Sequence, residues 1–503
     1  MCGTESVGEV PECEVCSNAS NGARGGIPAL VGALGFSLMT NTRQRNIAWL
    51  VAGTYFMEIL DGTIVVTAAP SIGRAFDVAS VAVGVTITAY LLTLAVLIPL
   101  SGWITRRFGS RRVFLSAIAI FLVASLLCAL SSNLTELVAM RVLQGVGGAM
   151  MVPVGRLAVL RVTDRADLVR AIALITWPAL VAPIIAPFAG GLLVTYASWH
   201  WIFLINVPLG VVAFIAAWRL IPREEPERPE RLDGLGLLLT CSGVAALVYL
   251  GTLLGAGHPQ LLEAALWGGG GIVLVGLAIR HLLLKEHPLL DLRALTSETF
   301  RLAHAGGSLF RLSVSAVPFL LPLLFQDVFG WSPILSGALV LFVFVGNLAI
   351  KPATTPLLNR FGFRVVLIVA TLCAAISMLF LALITPTTPV WVIAALLIFG
   401  GAARSTGFTA YNTIAFADVE PAALTDANTL ASTLQQLAAG FGVTVAALAL
   451  RAGEEILGGG DRGAGPFQLA FVVISALTVL ATVEAVRLTA VAGNNILPRR
   501  RVV

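Results

Sequence analysis

The sequence predicts an all-α integral membrane protein of about fourteen transmembrane helices, and three observations carry that expectation. Of 503 residues, 57% are hydrophobic and only 12% charged, with a mean hydropathy of +0.92. A soluble domain has no means of covering so much apolar surface. Apolar runs recur at the length a bilayer crossing needs, about 20 residues. Arginines then gather in alternate connections, the pattern that fixes the orientation of a multi-pass chain.

The crossings follow in order. The first begins near Asn46 and carries Glu58 and Asp61; the second begins near Val81 and ends in Arg106, Arg107, Arg111 and Arg112. The third begins near Val113 and the fourth near Glu136, the latter carrying Arg141, Gln144, Gly145, Gly147 and Gly148 and leading to Arg161, Arg165 and Arg170. The fifth, from about Ala171, is punctuated by Pro178, Pro183, Pro187, Gly190 and Gly191. Prolines remove backbone hydrogen bonds and paired glycines admit a neighbouring backbone, so this run reads as a kink-and-contact device or as an ordinary irregular helix. The sixth begins near Trp199, and Trp199 and Trp201 are expected to be aromatic anchors at the membrane surface. After the Glu-, Arg- and Pro-rich stretch Pro222–Gly234, with Arg223, Arg228 and Arg231, come the seventh and eighth, near Leu235 and Leu262.

Lys285 and Arg293 close the eighth. The ninth, near Phe300, carries Arg311; the tenth, near Ser332, carries Lys351 and ends at Arg360 and Arg364. The eleventh begins near Arg364, the twelfth near Val390 with Arg404 and Asn412, the thirteenth near Leu424 with Gln435 and Gln436, and the fourteenth near Pro466. A tail with Arg499, Arg500 and Arg501 follows. The opposite connections, Ser131–Glu136, Thr195–Ser198 and Thr385–Pro389, contain no Lys or Arg. Both termini are therefore expected in the cytoplasm, and the formal charge of +5 reflects topology and lipid contact, not nucleic-acid binding.

Residues 1–45 are expected to be a cytoplasmic N-terminal segment, with Met39 as a candidate true start. Cys13 and Cys16 form a C-x-x-C with Cys2 upstream, but no His lies nearby to complete a metal site. Ile27–Leu38 is too short to span. An internal repeat organises the rest: Arg107-Phe108-Gly109-Ser110-Arg111 recurs as Arg360-Phe361-Gly362-Phe363-Arg364, each copy in an arginine-rich connection. The implied division is a six-helix bundle at 46–220, a loop at 221–234, a two-helix insert at 235–285, a linker at 286–298, a second six-helix bundle at 299–490 and a basic tail at 491–503. Parallel repeats of this kind surround a central cavity in a large class of transporters.

Several motifs resemble one known family. Leu60-Asp61-Gly62-Thr63-Ile64-Val65, Arg141-Val142-Leu143-Gln144-Gly145-Val146-Gly147-Gly148, Pro187-Phe188-Ala189-Gly190-Gly191 and Trp199-His200-Trp201-Ile202-Phe203-Leu204-Ile205-Asn206-Val207-Pro208 are similar to signatures of the major facilitator superfamily. The likeness is to its fourteen-helix drug:proton antiporter branch, the EmrB/QacA type, and especially its MdtD-like members. It implies that fold, proton-driven multidrug efflux, a bacterial inner-membrane location and gating or packing duties for Gly102, Arg107, Gly109, Arg111, Gly145, Pro183, Pro187, Gly190, Gly191, Arg360 and Gly362. The chain departs from the family's loop motif where Arg106 replaces an acidic residue, Ser110 an arginine and Asn359 the acid of the second copy. Ala182 and Ala186 stand where the antiporter motif has glycine, and His200 where Arg is common.

The residues also carry a reading of their own. Glu58, Asp61, Arg141, Arg311, Lys351 and Arg404 lie inside apolar runs, and each left alone in lipid would cost roughly 2.5–3.5 kcal/mol, so they are expected to share a wet interior. Asp61, alternately wetted and brought against Arg141, would couple proton movement to conformation; the plainer alternative is a static pair tying two helices. Glu58, one turn earlier, is a second proton carrier or a bystander. Arg311, Lys351 and Arg404 are expected to bind the solute, with Gln144, Asn412 and Gln435 orienting it, unless the cations snorkel to headgroups. Four basic against two acidic groups makes efflux of organic anions, citrate-like carboxylates included, a rival to broad drug export. A non-transporting membrane sensor on the same fold is a further alternative. No phosphate-binding loop, metal site or cofactor is expected; the partners are a small organic solute, protons and lipid, and the chain is expected to be a monomer.

Overall fold

A computed structural model describes residues 42–163, 168–223, 232–256, 261–286, 288–420, 423–457, 463–489 and 492. The segment through residue 41, with Met39 and the cysteines at 2, 13 and 16, lies outside these residues, as do Arg165, Arg228, Arg231 and the arginines of the tail. The first six long helices are α1 Thr42–Phe76, α2 Gly84–Phe108, α3 Ser110–Leu130, α4 Leu134–Val162, α5 Leu168–Tyr196 and α6 Asn206–Leu220. Then come α7 Gly234–Ala256 and α8 Leu261–Leu284, followed by α9 Glu298–Leu323, α10 Pro333–Ala349, α11 Lys351–Ala382, α12 Val390–Ile414, α13 Leu424–Leu457 and α14 Gly465–Arg487. The protein is thus an all-α, multi-pass membrane protein, with starts close to those expected. Among the described residues eleven spans are long and apolar enough to cross a bilayer outright, whereas α5, α7 and α10 contribute shorter apolar stretches. For α10 the reason is local: the helix breaks at Ile350, yet the crossing continues into the first part of α11.

Backbone conformation marks the repeat. Gly109 has φ 83 and ψ 145, and Gly362 has φ 77 and ψ 167. A positive φ is accessible to glycine without the steric conflict a Cβ would create, so the same residue makes the same sharp turn in both copies. At Gly362 the turn divides α11 into the end of the tenth crossing and the whole of the eleventh.

Helix pairing repeats as well. In the first half α1 packs on α5, α4 and α6, α3 on α4 and α6, and α2 on α4. Shifted by eight helices, each pairing returns: α9 on α13, α12 and α14, α11 on α12 and α14, and α10 on α12. Two reciprocal contacts join the halves, α5 with α10 and α2 with α13. α7 and α8 pack on each other, and α7 touches α2 and α13.

The joint between halves is tight at the end away from the arginine-rich turns. A Cβ on Gly337 would run into the Pro187 carbonyl oxygen, and one on Gly191 would sit 2.5 Å from that of Pro333. Gln326 donates to the Thr67 carbonyl (3.0 Å), and Thr88 to that of Gly440 (3.3 Å). Trp199 corrects the expectation of a surface anchor: it is 6% exposed and packs on Phe76 and Phe203. Its indole fills the gap between helix ends, while Trp201, 50% exposed, keeps the surface position.

Candidate functional site

Glu58 and Asp61 lie three residues apart on one face of α1, and Arg141 and Gln144 do the same on α4. Small residues bring the two helices' neighbours close enough for these side chains to meet. A Cβ on Gly145 would lie 2.7 Å from the Thr93 side chain of α2, and one on Gly147 2.7 Å from the Phe121 backbone nitrogen of α3. Asp61 and Arg141 are both 0% exposed. Arg141 Nη1 donates to Asp61 Oδ2 at 2.5 Å, while Gln144 Nε2 (2.9 Å) and Asn206 Nδ2 (2.7 Å) donate to Oδ1. The same Arg141 nitrogen reaches Gln144 Oε1 (2.7 Å), and the Gln144 amide also donates to Ser125 Oγ (2.7 Å). The guanidinium lies over the Tyr90 ring, 4.3 Å from its centroid, with Phe203 at 5.7 Å.

One carboxylate therefore collects donors from α4 and α6 inside a dry layer closed by two aromatic rings. Pairing and hydrogen bonding offset the hydration that charges this deep lose. Gln144, expected to orient a solute, serves this network. Asn206, Ser125 and Tyr90 were not singled out from sequence. Asn206 could have been, as a lone amide between Phe203-Leu204-Ile205 and Val207; a single serine in an apolar helix, such as Ser125, gives no comparable signal because it can bond its own backbone.

Glu58 stands at the edge of the network and lines a cavity of ≈ 670 Å³ between α1, α2 and α4 of one half and α13 of the other. The cavity lies toward the arginine-rich end, where Gly102, Arg156, Leu160 and Asn428 of its wall are exposed. Its remaining polar wall includes Tyr55, Ser101, Ser432, Gln435 and Gln436. Gln435, expected to orient a solute, lines this cavity. Glu58 Oε2 has no hydrogen-bond partner among the described residues, nor has the Tyr90 hydroxyl.

The second half arranges its charges differently. Arg311 of α9 donates to Asn412 Oδ1 (2.5 Å) and lies 5.7 Å from the Phe408 ring centroid. Lys351 donates to Thr409 Oγ1 (2.9 Å). Thr409 and Asn412 are three residues apart on α12, the helix that also carries Arg404, so this one helix gathers all three cations. None of them forms an ion pair among the described residues. Arg404 is 3% exposed, and both its terminal nitrogens, like Arg311 Nε and Nη1, lack hydrogen-bond partners there. His304 is a further buried group of α9, its Nδ1 2.9 Å from the Phe300 carbonyl oxygen.

The expected gating and packing residues separate by place. Pro187, Gly190 and Gly191 lie in the contact of α5 with α1 and α10, where a Cβ on Gly190 would sit 3.0 Å from Ile64. Pro183, one turn earlier in α5, is half-buried. At the arginine-rich end Arg107 is exposed, Arg111 donates to the Trp218 carbonyl, and Arg360 lies 5.5 Å from the Phe361 ring centroid.

Comparison with known proteins agrees with this architecture. The sequence profile of the Major Facilitator Superfamily matches residues 51–443. The chain is 37% identical over 414 residues, 82% of its length and 88% of the other, to a protein of Pectobacterium carotovorum subsp. carotovorum (strain PC1) named for multidrug resistance, MdtD. It is 38% identical over 416 residues to the MdtD of Escherichia coli O6:K15:H31 (strain 536), covering 82% of this chain and 87% of that one. Among solved structures, the nucleoside transporter NupG superposes with a TM-score of 0.62 at 13% identity, covering 89% of this chain and 99% of that one. A D-xylose–proton symporter gives 0.61 at 16%, over 88% and 96%. A bacterial homologue of the lysosomal transporter Spinster, inward-facing and unoccupied, gives 0.57 at 14%, over 91% and 98%. On the profile match and these relatives, the chain belongs to the Major Facilitator Superfamily of membrane transporters.

Proposed function

We propose that this protein is a proton-coupled exporter of small organic compounds, working by alternating access as a monomer in the bacterial inner membrane with both termini in the cytoplasm. The observation that carries this reading is the Asp61 carboxylate, held by Arg141, Gln144 and Asn206 one helical turn from Glu58 in the cavity wall. A proton arriving through the cavity meets Glu58 first. Neutralising Asp61 would release Arg141 from its charge partner and loosen α1 from α4, helices whose bundle also carries the joint between halves. The cavity at the arginine-rich end and the packed seam at the other correspond to one of the two states such a cycle requires. The relatives' names support multidrug efflux, and the cavity's mixture of amides, hydroxyls, one carboxylate, one guanidinium and apolar side chains suits amphiphilic solutes.

The test is proton release on solute addition to the purified protein, followed by uptake into vesicles with Asp61→Asn. Proton release by the native protein and no uphill transport by the variant, at unchanged expression, is the expected pair of results. Uphill transport by Asp61→Asn would remove the coupling assignment.

A second reading, efflux of organic anions, rests on Arg311, Lys351 and Arg404, cations gathered around α12 that have no carboxylate partner among the described residues. Coulomb attraction in a low-dielectric surround then favours a negatively charged solute. Screening cationic dyes against di- and tricarboxylates separates the two, and a response to cations alone would dismiss the anionic reading.

A further inference from the structure

At the arginine-rich end, the turn between α2 and α3 meets the end of α6 around a second cavity. It measures ≈ 390 Å³ and is lined by Phe108, Gly109, Arg111, Arg112, Leu115, Trp218 and Arg223. Three guanidinium groups border it and, among the described residues, no carboxylate does. Arg111 is fixed in place: it donates to the Trp218 carbonyl and lies 5.3 Å from the centroid of that indole. Arg43 reaches the neighbouring Leu220 carbonyl at 3.5 Å, adding positive charge to the same corner. The first turn of α3, whose backbone N–H groups point out of the helix end, begins at the cavity wall and reinforces the preference for an anion.

The rest of the wall is apolar, with Leu115 buried and the two aromatic side chains open to the outside. Phe108 is 48% and Trp218 56% exposed, and beyond them α3 and α6 present Val123, Leu130, Val212 and Ile215 to the outside of the bundle. A soluble anion would use the guanidinium rim and gain nothing from Phe108, Leu115 and Trp218. An amphiphile with a phosphate head and acyl chains uses both, at the depth where aromatic and arginine side chains border a bilayer.

We propose that this pocket is a binding site for an anionic phospholipid, with the phosphodiester held by Arg111, Arg112 and Arg223 and the acyl chains lying along α3 and α6. The Gly109 turn forms part of the wall, so an occupied site braces the hinge between α2 and α3.

The experiment uses the full chain in nanodiscs and in detergent. Thermal unfolding is followed as phosphatidylglycerol is titrated into a phosphatidylcholine background, with inorganic phosphate added to detergent-solubilised protein as a separate arm. Phosphatidylglycerol is expected to raise the midpoint of the native protein and phosphate is expected not to. Arg112→Gln with Arg223→Gln, which spares the Arg111–Trp218 contact, is expected to lower the apparent affinity for phosphatidylglycerol about thirtyfold, roughly fivefold for each guanidinium. Arg106→Gln with Arg107→Gln, outside the pocket on the same surface, is the control for diffuse attraction. Equal losses in both double variants would overturn the site, as would unchanged lipid dependence in the first. Stabilisation by inorganic phosphate equal to that by the lipid would reassign the pocket to a soluble anion and overturn the lipid assignment.

Discussion

α1 and α4 of the first half occupy the same places in the helix pairing as α9 and α12 of the second, yet the two pairs solve buried charge in opposite ways. Between α1 and α4, Asp61 and Arg141 neutralise one another and the carboxylate's oxygens are filled by Gln144 and Asn206. Between α9 and α12, Arg311 meets a neutral amide, and among the described residues no acid pairs with Arg311 or Arg404. The Asp61–Arg141 pair is therefore matched in charge, whereas Arg311 and Arg404 are not. A pair that completes itself belongs to the protein's own cycle; cations left incomplete are suited to something that arrives.

The sharpest way to break this comparison is to remove one partner on the completed side. Arg141→Leu leaves Asp61 buried with amide donors alone, and is expected to cost about 3–5 kcal/mol of stability, the magnitude for stranding one member of a buried pair. Asp61→Asn combined with Arg141→Leu is expected to recover most of that loss while remaining unable to couple protons. Detergent unfolding midpoints decide it: a single variant as stable as the native protein would mean that the pair is not held charged.

The same change of arginine to an apolar residue should have the opposite sign in the other half. Arg404→Met removes a desolvated guanidinium that has no charge to answer it, and is expected to be neutral or to stabilise the fold by about 1–4 kcal/mol, while reducing transport. A destabilisation as large as that of Arg141→Leu would show that Arg404 is matched by a partner as Arg141 is, and the contrast between halves would disappear.

A smaller effect tests how much of the first cluster depends on its third donor. Asn206→Leu deletes a hydrogen bond to a charged group but leaves Arg141 and Gln144 in place, so about 1.5–3 kcal/mol is expected. Midpoint and proton release should fall together. A variant with native stability but abolished proton release would move Asn206 from support of the carboxylate to the proton path itself.

How much of this was legible in the sequence follows from what each feature depends on. The helices were, because burial in lipid writes itself into composition over a whole crossing, and the starts near Val390 and Leu424 are reproduced by α12 and α13. The repeated turn was, because only glycine accommodates the backbone of Gly109 and Gly362. Asp61 and Arg141 stood out as charges in apolar runs, but their partners did not. Asn206 reaches Asp61, and Ser125 reaches Gln144, across sequence separations that only the packing of α6 on α1 and of α3 on α4 closes. Gln144 was visible and misplaced for a related reason: its spacing from Arg141 fixes a shared face, not what that face meets. Trp199 shows the limit of reading aromatic residues near helix ends, since Trp199 and Trp201 differ in environment through the turn of the chain between them.

A third arrangement of charge, at the aqueous edge, offers the mildest and most quantitative check. Asp233, just before α7, accepts from the Gly236 N–H (3.1 Å) and the Leu289 N–H (3.3 Å), with His281 Nε2 at 2.8 Å and Lys285 Nζ at 3.8 Å. It thereby ties the start of α7 to the end of α8 and to the linker entering the second half. Burial pushes its carboxyl up, but the hydrogen bonds from His281, Gly236 and Leu289 outweigh that and hold it below the usual carboxylate range. A carboxylate whose folded value is depressed contributes stability above its unfolded value, and loses that contribution as pH falls through the folded one. The native protein is therefore expected to exceed Asp233→Asn by about 1 kcal/mol at neutral pH, with the excess shrinking below about pH 4. Unfolding midpoints of both proteins across that range provide the measurement. A gap that persisted in acid would mean that the ionised carboxylate is not what stabilises this corner. A gap that closed would extend to a second carboxylate what is seen at Asp61, an acid held by donors that converge on it from several segments.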